Sequence, residues 1–156
     1  MSMELWVLSD RQLSSIAEWQ AAIDAEGYPL DLEKGFSFES LKGFLPCHLR
    51  GELTGFECYH DDAAALMRHN PDFNFGHDRK YALGFRWFGS KQNETLAGWM
   101  AGTAYARATA GIVANDQDSR LRTAAESADV VRGIEHPSQA YEEAKRELRR
   151  RRGLTP

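Results

Sequence analysis

The sequence predicts a single α+β domain, in which a mixed, largely antiparallel sheet of about five strands packs against a buried central helix and flanking helices. Three stretches carry this prediction. Residues 81–88 alternate with period two and are rich in aromatic side chains, as strands are. Residues 94–110 are nearly free of charge on all sides, which is typical of a buried helix. Residues 44–60 carry two strand-like runs that fit a hairpin.

The first part of the chain predicts a strand, a helix and a second extended segment. Residues 3–8 form a short apolar run, which we assign to the first strand. Ser9, with Gln12 three residues later, matches a capping box, so we expect a helix to begin there and to end near Gly27. Residues 28–32 are expected to extend again at an edge of the sheet.

The hairpin is expected to pair residues 44–49 with residues 53–60. Pro46 has no backbone N–H, and it therefore predicts an edge or a bulge in the first strand. Alternation predicts that Glu57 and its neighbour Phe56 point to opposite faces of the sheet. Either Asp61 or Asp62 is expected to cap a short helix over residues 63–68, and the polar residues 69–79 predict a surface loop.

The central helix is expected to begin at Asn93, with Glu94 at the positive end of the helix dipole, and to run to Ala110. Gly98 and Gly102 each lower helix propensity by about 1 kcal/mol relative to Ala. We therefore expect them to permit close approach to a neighbouring backbone. After the helix, a short apolar strand leads into a polar turn over residues 115–119.

Two helices are predicted after the central unit. Residues 121–131 carry a helical apolar stripe that begins at Leu121 and ends before Gly133. Ser138 is expected to cap a last helix that ends near Arg152. We therefore divide the chain into a single α+β domain over residues 1–136 and a C-terminal helix with a basic tail over residues 137–156.

Length and composition fit one domain. The 156 residues are 42% hydrophobic, which is enough for one ordinary core and needs no second domain. The N-terminus lacks the basic segment, long apolar run and small-residue cleavage site of a secretory signal. Cys47 and Cys58 fit a reducing compartment in which thiols stay free. We therefore expect a cytoplasmic protein, and Arg107 in the central helix argues against a membrane span.

Charge is unevenly distributed along the chain. Residues 1–80 carry 14 acidic and 7 basic side chains, whereas residues 137–156 carry 3 acidic and 6 basic ones. An acidic first half disfavours nucleic acid as the main partner, because phosphate binding needs a basic surface. It favours a basic protein partner, which it would attract by electrostatic steering. The four arginines at 149–152 are explained as cations that stabilise the end of a helix.

Two groups of residues are candidates for metal binding or catalysis. The first, which defines the alternative function of a small metal-dependent or hydrolytic enzyme, is His60, Asp62, His69 and His77. The second is Cys47, His48, Cys58 and His60. Its spacing matches no standard zinc motif. The sequence also has no phosphate-binding glycine loop and no serine nucleophile elbow. We therefore predict no catalytic residue, no metal site and no cofactor.

Two segments carry a resemblance to a known family. They are GFLPCHLRGELTGFE, residues 43–57, and TAYARATAGIVANDQDS, residues 103–119. The second is a helix of small residues that runs into a glycine, a short apolar strand and an Asp/Gln turn. This pattern resembles small cytoplasmic immunity proteins of bacterial polymorphic-toxin systems, and the first segment is similar to the hairpin that precedes it there. The resemblance covers residues 40–120 and implies a stoichiometric protein inhibitor without catalysis, encoded beside a toxin.

The leading prediction is a non-catalytic protein-binding module, an immunity-type inhibitor whose partner is a basic toxin domain. We expect the contact surface at acidic residues of the hairpin and of the polar turn. These are Glu52, Glu57, Asp61, Asp62, Asp116 and Asp118. A third class, a structural subunit that forms homo-oligomers, would place Trp6, Trp19 or Phe88 at its interface.

Overall fold

The computed structural model describes residues 2–153, in which six strands and five α-helices form an α+β fold as predicted. The strands are β1 (Ser2–Ser9), β2 (Leu30–Leu32), β3 (Lys42–Leu49), β4 (Glu52–Asp61), β5 (Tyr81–Phe88) and β6 (Ile112–Asn115). The helices are α1 (Ile16–Ala25), α2 (Ala63–His69), α3 (Gln92–Thr109), α4 (Ala124–Glu135) and α5 (Pro137–Arg151).

All six strands belong to one sheet with the order β2-β3-β4-β5-β1-β6. Each neighbouring pair is antiparallel, so within residues 2–153 the sheet has no parallel pair and one strand more than the approximate number expected. The predicted hairpin is confirmed as β3 and β4, which pair from Lys42 with Tyr59 to Leu49 with Glu52. β1 begins the chain but lies inside the sheet, between β5 and β6.

Both edges of the sheet are short. β2 has three residues and pairs only with the last three residues of β3. Pro46 lies just beyond this pairing, where its carbonyl accepts a hydrogen bond of 3.0 Å from Glu33 N. Pro46, which has no backbone N–H, therefore lies where the edge strand β2 ends. β3, which contains Pro46, is the second strand of the sheet. At the other edge, the backbone of Arg122 exchanges hydrogen bonds of 2.8 and 2.9 Å with Val113 of β6.

The helix α3 packs on one face of the sheet and is buried along most of its length. Its two glycines lie directly over large side chains of the sheet. A Cβ atom at Gly98 would lie 2.7 Å from the Trp87 ring, and one at Gly102 would lie 2.8 Å from Leu5 Cδ2. The expected close approach is therefore to side chains of β5 and β1, rather than to a neighbouring backbone.

Trp19 of α1 occupies the centre of the core and is 0% exposed. Its ring packs edge-on, at centroid distances of 5.6 to 6.3 Å, against four other aromatic rings. They are Phe38, Phe56, Phe85 and Tyr105. The indole Nε1 donates a hydrogen bond of 3.0 Å to the carbonyl oxygen of Ala101 in α3. Trp19 therefore ties α1, α3 and the sheet together.

The opposite face of the sheet is covered at one end only. There, α2 and side chains of the following loop pack on Leu8, Ala82 and Ala114 in a small second cluster. We call the rest of this face the open face. Its residues in β1, β3, β4 and β5 are Ser2, Glu4, Trp6, Lys42, Phe44, Pro46, His48, Leu53, Gly55, Glu57, Tyr59, Asp61, Gly84, Arg86 and Phe88.

The helix α1 begins later than the sequence predicted. Ser9 is the last residue of β1, where it pairs with Tyr81, and it caps no helix. The capping residue is Ser15, whose side chain accepts a hydrogen bond of 3.0 Å from Glu18 N. The prediction was wrong because the sequence has two Ser-x-x-Glu/Gln patterns, which begin six residues apart. The serine of the first pattern belongs to a strand, so the serine of the second pattern caps the helix.

Three further helix starts differ from the predictions. Asn93 lies inside α3 and donates its side-chain hydrogen bond to Glu52. The helix α4 begins after Thr123, which forms a capping box, so Leu121 precedes the helix and packs on the second cluster. Ser138 lies within α5, whose first residue is a proline. The predicted cap of α2 is confirmed as Asp62.

The helix α5 contributes no buried residue and contacts α4. Residues 152–153 follow it, and residues 154–156 of the predicted basic tail lie outside the described part of the chain. The division into residues 1–136 and residues 137–156 stays a prediction, because burial shows only that α5 adds nothing to the core.

Candidate protein-binding surface

Charged side chains form a row across the open face. Phe44 of β3 pairs across the strands with Glu57 of β4. Glu57 pairs in turn with Arg86 of β5, and Arg86 pairs with Glu4 of β1. The row continues beyond β1, where Asp116 Oδ1 accepts a hydrogen bond of 3.0 Å from Glu4 N. Cross-strand neighbours have Cβ atoms about 4.5–5.5 Å apart, so these side chains are within reach of one another. The sheet thus gathers residues that are far apart in the sequence.

Gly84 leaves a hollow in the next row of the open face. Its cross-strand neighbours are Tyr59 and Trp6. A Cβ atom at Gly84 would overlap Asp61 Oδ2 and would lie 3.4 Å from the Trp6 ring. The absence of a side chain therefore makes room for the carboxyl group of Asp61, which lies over the backbone of β5.

Asp61 is a partly buried acid whose side chain is 24% exposed. Within residues 2–153, its enclosed Oδ2 atom has no hydrogen-bond partner. Burial raises the pKa of Asp61, and Arg86, whose Nη2 lies 3.9 Å from Asp61 Oδ1, opposes this rise. Burial therefore outweighs the combined effect of Arg86, the Trp6 side chain and His60, which each favour the ionised carboxylate.

Arg86 lies at the centre of the row. Its guanidinium carbon is 4.6 Å from the centre of the Tyr59 ring, and its Nε is 3.6 Å from Glu4 Oε2. The Tyr59 hydroxyl donates a hydrogen bond of 2.5 Å to Glu57 Oε1, which raises the pKa of Tyr59. The carboxylates of Glu4 and Asp61 therefore flank the guanidinium, while that of Glu57 is bonded to Tyr59. With Lys42, the cross-strand neighbour of Tyr59, this group of side chains still carries a net negative charge.

Exposed apolar side chains border the charged row. Phe44 is 53% exposed, Phe88 58% and Leu53 72%. Aromatic residues are enriched in the cores of protein interfaces, where they exchange water for apolar contact. An acidic centre with exposed aromatic neighbours is a surface that suits a protein partner with both basic and apolar groups.

Replacement of Asp61 by Asn should stabilise the protein at neutral pH. Burial raises the pKa of Asp61, so there is a pH range in which its carboxyl group is protonated in the folded protein but ionised in the unfolded chain. The free energy of unfolding therefore falls as the pH rises above about 3.9. Asp61→Asn should therefore raise the free energy of unfolding at pH 7 by up to about 1 kcal/mol, with little change at pH 3. Urea unfolding at both pH values measures this. Asp62→Asn is the exposed control, and an equal gain in both variants contradicts the prediction.

Three of the six predicted contact residues lie at the open face. Glu57 and Asp61 project from β4 on this side, and Asp116 adjoins it at the end of β6. Asp116 also accepts a hydrogen bond of 3.0 Å from the Gln117 side chain. These three acids therefore belong to one surface, and their contact with a partner stays a prediction.

The other three predicted residues point elsewhere and support the fold. Glu52 is an odd number of residues from Glu57, so it faces the other side, where it accepts a hydrogen bond of 3.0 Å from Asn93. Asp62 caps α2 through a hydrogen bond of 3.1 Å to the backbone. Asp118 forms an ion pair of 2.9 Å with the arginine four residues later, whose hydrogen bonds lower the pKa of Asp118.

Sequence reasoning missed Glu4 and Arg86. Each is the only charged residue of its strand, and this was the available signal. Alternation places each of them on the face opposite the buried aromatic residues. Only the pairing of β1 with β5 shows that the two are neighbours, and nothing local in either strand predicts that pairing.

The residues of the alternative enzymatic site have separate partners. This group is His60, Asp62, His69 and His77. His60 Nε2 lies 2.7 Å from the carbonyl oxygen of Phe38, His77 pairs with Asp10, and His69 ends α2. Among residues 2–153, no group of three or more His, Cys, Asp or Glu side chains is placed to hold a metal ion. The geometry therefore gives no support to the enzymatic alternative.

The two cysteines are buried in the core. Burial raises the pKa of Cys47 to about 12, and it also raises the pKa of Cys58. Because the thiolate is the form that binds zinc and attacks electrophiles, both thiols are inert where they lie. His48, the third member of the zinc hypothesis, is exposed on the other face of β3.

No protein-family model, no curated protein and no solved structure matches this chain. The resemblance to immunity proteins therefore stays a prediction that rests on the two quoted segments. Of the helices within residues 2–153, none combines the length and the apolar character that a membrane span requires.

Proposed function

We propose that the protein is a non-catalytic binding module that holds a basic protein against the open face of its sheet. The observation that carries this proposal is the placement of Arg86 on the open face, beside the carboxylates of Glu4 and Asp61 and with Glu57 as its cross-strand neighbour. A net negative group at the centre of an exposed surface selects a positive partner, because like charges placed opposite each other cost several kcal/mol.

The shape of the surface supports a protein partner over a small molecule. The charged row crosses the three strands β4, β5 and β1 and ends at Asp116, and exposed aromatic side chains border it. A standard protein interface buries roughly 800 Å² on each partner, which a sheet face of this width can supply. The carboxylates would repel the phosphates of a nucleic acid.

The specific role we propose is that of an immunity-type inhibitor, which neutralises a cognate bacterial toxin by covering a basic surface of it. The likeness of residues 43–57 and 103–119 to immunity proteins supports this role. Inhibition of this kind needs tight stoichiometric binding and no chemistry by the inhibitor. We place the protein in the cytoplasm, where its two buried thiols would stay reduced.

Purification from the native host, combined with a growth assay, tests the proposal. The tagged full-length chain should recover a basic protein in a fixed stoichiometry. Co-expression of the chain with the product of the neighbouring gene should restore growth that this product alone inhibits. Recovery and protection should persist in the variant Glu142→Lys, because Glu142 lies on α5, away from the open face.

The opposite results would remove the proposal. A chain that stays monomeric, recovers no partner and gives no protection is not an immunity-type inhibitor. A stable homo-oligomer in which the open face is covered by a second copy would assign this surface to self-assembly instead.

A further inference from the structure

The strands β4 and β5 separate at one end of the open face. Their pairing ends at Glu57 and Arg86, whereas β5 continues to Phe88 and β4 begins five residues before Glu57. The gap forms a cleft of about 210 Å³. Phe44 and Phe88 line its mouth, and Phe56 and Trp87 line its inner part.

Two carboxylates, those of Glu57 and Glu94, lie in the walls of this cleft, and among residues 2–153 each accepts hydrogen bonds through one oxygen only. Glu57 uses Oε1 to accept the Tyr59 hydroxyl. Glu94 uses Oε1 to accept a hydrogen bond of 3.2 Å from Phe88 N, while its Oε2 is 4.0 Å from the exposed ammonium of Lys91. Within residues 2–153, Glu57 Oε2 therefore has no hydrogen bond, and Glu94 Oε2 has only the long ion pair with exposed Lys91, which a donor in the cleft would replace.

Arg86 also borders the cleft, but its charge is directed away from it. The guanidinium lies over the Tyr59 ring and towards Asp61, which is on the far side of the Glu57–Arg86 pair from Phe88, and towards Glu4 on the neighbouring strand β1. Glu57 and Glu94 are therefore the acidic groups of the cleft, and they lie between its aromatic walls.

We propose that this cleft is an anchor site for one arginine side chain of the basic partner. The inference rests on the proposed function and names the group that the open face recognises. The aliphatic part of the arginine lies against Phe44 and Phe88, and the guanidinium bridges Glu57 and Glu94. Small-molecule sites usually enclose roughly 300–1,000 Å³, so a cleft of about 210 Å³ suits a single side chain better than a metabolite.

Arginine fits this site better than lysine. The guanidinium is planar, stacks on aromatic faces and presents donors in a fork that two carboxylates can share. The lysine ammonium is a compact and strongly hydrated charge that gains less from aromatic walls. Arginine side chains that enter pockets at the centre of an interface are also among the residues that carry most of the binding energy.

Titration of the full-length chain with Nα-acetyl-arginine amide, followed by NMR, tests the anchor site without the partner. Resonances of Phe44, Phe88 and Glu94 should shift, with a dissociation constant on the order of 1–10 mM. The same titration with Nα-acetyl-lysine amide should give affinity at least about threefold weaker, and Nα-acetyl-norleucine amide should give no saturable shift. In Glu94→Gln and Phe88→Ala the arginine response should fall at least about threefold, and in Leu148→Ala, an exposed change on α5, it should stay.

Two results would overturn the anchor site. One is the absence of a saturable arginine response, or an equal response to lysine. The other is a partner that binds Phe88→Ala and Glu94→Gln as tightly as the unchanged chain. If Glu57→Lys weakens that same partner, the proposed function stands and the anchor site alone fails, so the two failures are distinguishable.

Discussion

Exchange of Glu57 for Lys should weaken binding of the basic partner about 100-fold. The change removes a carboxylate from the centre of the open face and leaves a cation beside Arg86, the cross-strand neighbour. A 100-fold loss corresponds to about 2.8 kcal/mol, which is within the range for a charge reversed at the centre of an interface. Calorimetric titration at about 0.15 M salt measures it, and Glu57→Gln should show an intermediate loss.

A matched reversal elsewhere separates a local effect from a change in total charge. Glu142→Lys changes the net charge by the same amount, but Glu142 is exposed on α5. Its effect on affinity should stay below about twofold at this salt concentration, because the Debye length is about 8 Å. Equal losses in the two variants would show that the open face is not the contact surface. Circular dichroism of both variants confirms that each is folded.

Exchange of Trp19 for Ala should destabilise the protein by about 3–5 kcal/mol, which is a large part of the total stability of a domain of this size. Trp19 is fully buried, packs edge-on against four aromatic rings and donates a hydrogen bond to α3. Its removal leaves a cavity at the junction of α1, α3 and the sheet. Urea unfolding followed by circular dichroism gives the change in the free energy of unfolding.

Tyr141→Ala provides the control for this loss. Tyr141 is 66% exposed on α5, so its truncation should change stability by less than about 0.5 kcal/mol. Trp19→Phe should fall between the two, because it keeps a ring in the core but loses the indole N–H. A loss below about 1 kcal/mol in Trp19→Ala would contradict the central role assigned to this residue.

The parts of the fold that could be predicted from the sequence are those with a strong local signal. The hairpin of β3 and β4, the strand β5 and the buried helix α3 all show their period or their composition within ten to twenty residues. Helix starts were less predictable, since Ser9 and Ser15 offer similar capping patterns. Only the pairing of Ser9 with Tyr81, which lies far along the chain, decides between them.

The candidate surface could be predicted only in part, because it depends on pairings between distant strands. The acidic composition of the hairpin pointed to Glu57 and Asp61. Glu4 and Arg86 join them because β5 lies between β1 and β4, an order that no local pattern contains. Glu52 was included for its charge alone, and the alternation of side chains along β4 places it on the other side of the sheet.

The edges of the sheet restrict where a partner could add a strand. β6 is bridged through Val113 and Arg122, and β2 covers only the last three residues of β3, so within residues 2–153 the outer backbone of β3 before Pro46 is the stretch that another strand could pair with. Backbone hydrogen bonds between strands depend little on which side chains are present. Contact across the open face depends on the identity of each side chain there. A few substitutions at surface positions would therefore be enough to redirect this fold from one partner to another.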